Sequence, residues 1–91
     1  MHKEDPFAQL TPREQQVLLA LMRGTSALEI SKESYVSLPT VRSQIRSILL
    51  KLHVSSQLAA VALAYRSGWP AKATAAARAP AIEGDRLAVG L

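Results

Sequence analysis

The 91-residue chain contains no cysteine. That excludes a disulfide, a thiolate metal ligand and a cysteine nucleophile, and it is compatible with a reducing, cytoplasmic setting. Only four residues are aromatic, Phe7, Tyr35, Tyr65 and Trp69, so an aliphatic core is expected. No apolar run approaches the ~20 residues that cross a bilayer, and the start of the chain, with Lys3, Glu4 and Asp5, has no hydrophobic signal region. A protein without a membrane partner is expected. Histidine is scarce: His2 and His53 are far apart, and neither has a second histidine three or four residues away, so no metal or other cofactor is expected.

Acidic residues are missing from a long stretch. Residues 34–82 contain Arg42, Arg46, Lys51, Arg66, Lys72 and Arg78 and not one Asp or Glu. The net charge of +4 is therefore concentrated, whereas a merely solvated surface intersperses both signs. An anionic partner fits this distribution.

What the chain does have is helix punctuation. A length of 91 residues allows one small domain. Thr11, Pro12 and Glu14 form a capping-box start, Val17, Leu18, Leu21 and Met22 follow on one face, and Gly24 supplies a stop. Ser26 and Glu29 form a second capping box, opening a short helix that ends near Ser34, with Leu28 and Ile30 turned inward. Ser37 caps a third helix over Leu38–Leu52, with Pro39 harmless in its first turn. Ser55 or Ser56 caps a fourth, whose Leu58, Val61, Ala62 and Tyr65 share the expected inner face and which ends at Gly68. An all-α, four-helix domain over residues 10–70 is expected, preceded by a leader over 1–9 and followed by a mobile, alanine-rich low-complexity tail over 71–91.

Steps of 100° per residue along the third helix gather Val41, Ile45, Ile48 and Leu52 in one arc. Arg42, Ser43, Arg46, Ser47 and Leu50 fall in the opposite arc. One face is core and the other is presented. Arginine pairs bidentately with guanine in the major groove, which is about 12 Å wide and admits one helix. Arg42 and Arg46, one turn apart, are thus candidate base contacts, with Ser43 and Ser47 beside them. Leu50 either meets a thymine methyl or covers a neighbouring helix. Ser37, Thr40 and Lys51 are candidate phosphate contacts, although capping, local hydrogen bonding and a favourable charge at a helix C-terminus account for them equally.

Leu10, Thr11, Pro12, Arg13 and Glu14, followed by Val17 and Leu18, then Glu29 and Ile30, then Thr40, Val41 and Arg42, and finally the run Ile48 to Val54, together resemble the LuxR-type helix-turn-helix domain. The resemblance covers about residues 10–67. It implies a bacterial transcriptional regulator that binds duplex DNA through its third helix. Positions matching Arg42, Ser43 and Arg46 then face bases, and those matching Thr40 and Lys51 face the backbone. It also implies a homodimer through the fourth helix, where Ala60, Leu63 and Ala64 are small enough for close approach, or else form a solvent-facing alanine stretch; RNA polymerase is a further partner. Glu14 caps the first helix and can pair toward the third.

The chain also departs from the family's pattern. Ala27 and Leu28 replace a usual Asn-Lys, which weakens phosphate contact from the second helix. Gln44 stands where histidine is frequent and Ser47 where asparagine is frequent, so base preference does not carry over. Tyr35 and His53 replace frequent glycines, so those turns are either strained or reshaped. A protein-interaction module that keeps the fold without binding DNA is the competing reading. An enzyme is not expected, because the serines sit at caps or on the presented face with no histidine at hand. Whether the chain acts alone or as the C-terminal part of a longer regulator is open.

Overall fold

The computed structural model describes residues 5–70. Its helices are α1 (Pro12–Met22), α2 (Ala27–Ser34), α3 (Leu38–Leu52) and α4 (Gln57–Ser67), preceded by a single 3₁₀ turn over Pro6–Gln9. No strand occurs among the described residues, and the architecture is all-α, as the punctuation predicts. The expected tail at 71–91 lies outside the described residues.

Each helix begins where a side chain replaces the missing carbonyl partner of a first-turn N–H. Thr11 accepts from the Glu14 amide at 3.1 Å while Glu14 accepts from the Thr11 amide at 2.9 Å. Ser26 and Glu29 repeat this reciprocal box at 3.1 and 2.8 Å. Ser37 accepts from Thr40 at 3.3 Å and Ser56 from Ala59 at 3.0 Å. Each such cap is worth about 1 kcal/mol.

The four helices also end alike. The amide of Thr25 donates back to Ala20, that of Val36 to Ser31, that of Val54 to Leu49 and that of Trp69 to Ala64. These six-to-one bonds need a left-handed residue just before the donor. Gly24 (φ 88°) and Gly68 (φ 75°) supply it without strain; Tyr35 (φ 56°) and His53 (φ 58°) supply it despite their Cβ atoms. The turns therefore keep the glycine geometry and carry its strain, about 1 to 2 kcal/mol for an ordinary residue. Histidine tolerates the region better than a bulky aromatic. Tyr35 is 95% exposed, so replacing it forfeits no burial. Allowing for glycine's greater freedom when unfolded, Tyr35→Gly is expected to stabilise the domain by up to about 1 kcal/mol, a rise of several degrees in Tm, and His53→Gly by less. Thermal melts of the two variants check the order.

α3 is the central element, packed against α1, α2, α4 and the 3₁₀ turn. Val41, Ile45, Ile48 and Leu52 are buried against Val17, Leu18, Leu21 and Ile30, which is the predicted rotation of α3. Three expectations are corrected. Leu28 is 49% exposed while Ile30 is buried, because residues two apart on a helix point about 200° apart and cannot share one core. In α4 the inner face is Ala60 and Ala64, both fully buried, whereas Leu58 is 78% and Tyr65 61% exposed. α4 is apolar on most sides, so periodicity alone did not orient it; its alanines let it sit close against α1 and α3. Residues 5–9 of the supposed leader, finally, are part of the fold. Asp5 caps the 3₁₀ turn, and Phe7 is buried with its ring stacked on Trp69 at 5.4 Å. The core is thus aliphatic at its centre and aromatic where the two ends of the domain meet.

Candidate nucleic-acid interface

The outer arc of α3 is held outward by the burial of the inner arc. Arg42, Ser43 and Arg46 are exposed, and Leu50 lies further along with 72% of its surface open. Arg42 and Arg46 are four residues apart, so their guanidinium groups leave the helix from adjacent turns of one face. Thr40 is exposed at the start of α3, with its hydroxyl accepting from Ser37 at 2.9 Å. These side chains form a continuous polar, cationic surface along the first three turns.

Ser47 and Lys51 sit on the edge of that surface and are partly covered. The Ser47 hydroxyl donates to Glu14 Oε2 at 2.7 Å, and the Lys51 ammonium pairs with Glu14 Oε1 at 2.7 Å. Glu14 is the one buried charged side chain among the described residues. Burial pushes its carboxyl up, but Lys51, Ser47 and the Thr11 amide together outweigh burial and bring it from the ordinary 4.5 down to about 2. Glu14 therefore does three things: it closes the cap of α1, accepts the Ser47 hydrogen bond and balances the Lys51 charge. The ion pair toward the third helix appears as expected from the sequence. Its consequence for Ser47 and Lys51, which were grouped with the outward residues, was not legible there.

A second link joins α1 to α3. Arg13 donates from Nε to Gln44 Oε1 at 3.3 Å and from Nη2 to Ser34 Oγ at 3.0 Å, tying α1, α2 and α3 together at the helix-turn-helix. From the sequence Arg13 reads only as part of the family motif and Gln44 only as a departure from it, and neither is a candidate contact. The available signal was their identity alone, a long donor and an amide 31 positions apart.

At the opposite end, Tyr65 donates its hydroxyl to the Met22 carbonyl at 2.7 Å, closing α1 with α4. Leu63 is half-buried, and with Ala60 and Ala64 inside the core the face proposed for pairing of two copies is not the presented one. Leu58 and Tyr65 are exposed on the outer side instead, with the half-buried Ala62 between them at helical spacing. A surface depression beside the Phe7–Trp69 stack is lined by Asp5, Pro6, Phe7, Leu63, Arg66, Ser67 and Trp69, none from α3. Among the described residues no three His, Cys, Asp or Glu side chains gather in a metal-binding group, and no single helix is long and apolar enough to cross a membrane.

A profile of bacterial regulatory proteins of the luxR family matches residues 8–64. The nitrate/nitrite response regulator protein NarP of Escherichia coli is 44% identical over 61 residues, covering 67% of this chain and 28% of that protein. The Haemophilus influenzae nitrate/nitrite response regulator homolog is 39% identical over 62 residues, covering 68% and 30%. The response regulator VraR of Staphylococcus aureus is 35% identical over 60 residues, covering 66% and 29%. The chain thus spans less than a third of the length of these relatives. It belongs to the LuxR family of bacterial regulatory proteins, and its four helices form that family's DNA-binding, transcription-regulating domain.

Proposed function

We propose that α3 lies in the major groove of duplex DNA, where Arg42, Ser43 and Arg46 address base edges, and that the bound protein alters transcription at a promoter, with RNA polymerase as the further partner. The observation that carries this reading is the acid-free outer face of α3, with both arginines exposed one turn apart. Ser37 and Thr40 serve the backbone at the helix start. Ser47, its proton committed to Glu14, is left to accept from a base amino group. Lys51 has two N–H groups beyond the one on Glu14 and directs them to a phosphate.

The protein acts as a homodimer on a two-part site, with the contact on the outer side of α4. Leu58 and Tyr65 support this placement, because both are exposed apolar side chains on one side of α4, with the half-buried Ala62 between them. A protein-docking role without DNA is the second reading, and the 72% exposure of the apolar Leu50 on the same side of α3 as the arginines favours it.

Selection from random duplex DNA, followed by titration against salt, tests both. A protein neutralising several phosphates loses affinity steeply, with a slope of about −0.9 in log K against log salt for each phosphate; a flat response supports the docking role. On the selected site, Arg42→Ala and Arg46→Ala are each expected to cost about 1 to 3 kcal/mol and to relax base choice at one position. Unchanged affinity and selectivity in both would remove α3 from the groove.

A further inference from the structure

We infer that Arg13 fixes Gln44 as a one-way hydrogen-bond donor to a DNA phosphate, an inference that rests on the placement of α3 in the major groove. Gln44 lies on the flank of α3, between Ile48 on the core side and Ser47 on the presented side, and is partly exposed. Its amide oxygen faces Arg13 Nε at 3.3 Å. A guanidinium carries five donors and no acceptor, so the atom that meets it must be the Gln44 oxygen and the amide cannot be reversed. Ser34 holds the same guanidinium at 3.0 Å from the other side, which keeps Arg13 from following Gln44 outward.

The chemistry of Gln44 toward DNA is thereby narrowed. Free glutamine reads adenine by using its oxygen and its amino group together on one base edge. Here the oxygen is turned toward α1, and only the NH₂ group remains to be offered. A flank position on a helix in the groove faces the groove wall, where phosphate oxygens are acceptors only. Gln44 and Ser34, which accept from Arg13, are both neutral, so its charge polarises the Gln44 amide and strengthens its donors. Lys51 differs, since its charge is balanced by Glu14 at 2.7 Å. Gln44 is the contacting residue and Arg13 a positioning residue.

The test uses the full chain and the duplex that it selects, prepared also with single neutral methylphosphonates along each groove wall. Gln44→Met is expected to bind about tenfold more weakly, the loss of one hydrogen bond to a charged acceptor, while selecting the same base sequence. One methylphosphonate position should weaken the natural chain and leave Gln44→Met unaffected. Arg13→Met should lose sensitivity to that same phosphate, Arg13→Lys should regain part of it, and the double variant should bind no more weakly than Gln44→Met. Gln44→Glu retains an acceptor for Arg13, so it keeps the fold, as a thermal melt will show, and should bind more weakly still.

Retention of natural affinity by Gln44→Met or Gln44→Glu would overturn the inference. So would a changed base preference in Gln44→Met, which would make Gln44 a base reader. If the natural chain selects no duplex at all, the placement of α3 in the groove fails, and this inference with it.

Discussion

Lys51→Met is expected to destabilise the domain by about 2 to 3 kcal/mol, the figure for breaking a buried pair reduced because Lys51 retains contact with solvent. The variant leaves the buried Glu14 carboxylate with hydrogen bonds from Ser47 and Thr11 and no counter-charge. Urea denaturation should show the midpoint falling at unchanged slope. Adding Glu14→Gln should recover much of the loss, since a neutral pair no longer has to hold an uncompensated ion. A double variant as weak as Lys51→Met alone would mean that the loss does not come from leaving the Glu14 charge uncompensated.

The same carboxylate makes stability depend on acid. Its folded value of about 2 lies below the ordinary 4.5. A depressed acid stabilises the fold fully above its unfolded value and loses that contribution as pH falls through the folded one. The difference corresponds to about 3 kcal/mol, present near neutrality and lost between about pH 5 and pH 2. Glu14→Gln should flatten the stability profile across that window. An unchanged profile would assign the acid sensitivity to other groups.

Trp69→Ala is expected to cost about 3 to 5 kcal/mol, as for a large aromatic removed from a core. For a domain this small that is a large part of the total. Phe7→Ala should be almost as damaging. Their rings lie 5.4 Å apart and nearly parallel, an arrangement worth about 0.5 to 1.5 kcal/mol beyond burial. The double variant should therefore fall short of the sum of the singles, which a double-mutant cycle measures. Strict additivity would mean that the rings fill separate holes. Shortening the chain to begin at Leu10 should reproduce Phe7→Ala, although those first residues read as a leader.

Phe7 was missed for a reason that generalises within this molecule. It lies in a single 3₁₀ turn, which is too short for any hydrophobic period, and its partner Trp69 is 62 positions away. α4 was misoriented for a related reason. Larger apolar residues were expected inside, yet Ala60 and Ala64 are fully buried while Leu58 and Tyr65 are open. Hydrophobicity ranks residues by burial energy, whereas the gap between α1 and α3 selects by size. Tyr65 illustrates both sides, with an exposed ring whose hydroxyl reaches the Met22 carbonyl.

α3 shows what the sequence by itself determined. Its start at Ser37, its extent over Leu38–Leu52 and the separation of Val41, Ile45, Ile48 and Leu52 from Arg42, Ser43 and Arg46 all follow from neighbours within four residues. Caps and periodicity are local, and in a strongly two-sided helix they leave one rotation that buries the apolar arc. The left-handed turns at Tyr35 and His53 could be located in the same way, but only the fold shows that they keep their strain. Tertiary structure alone decided which polar groups meet. Glu14 takes Ser47 and Lys51 from 33 and 37 positions away, and Arg13 takes Gln44 and Ser34. These contacts depend on how α1 crosses α3, and a crossing is set by the fit of two surfaces to each other.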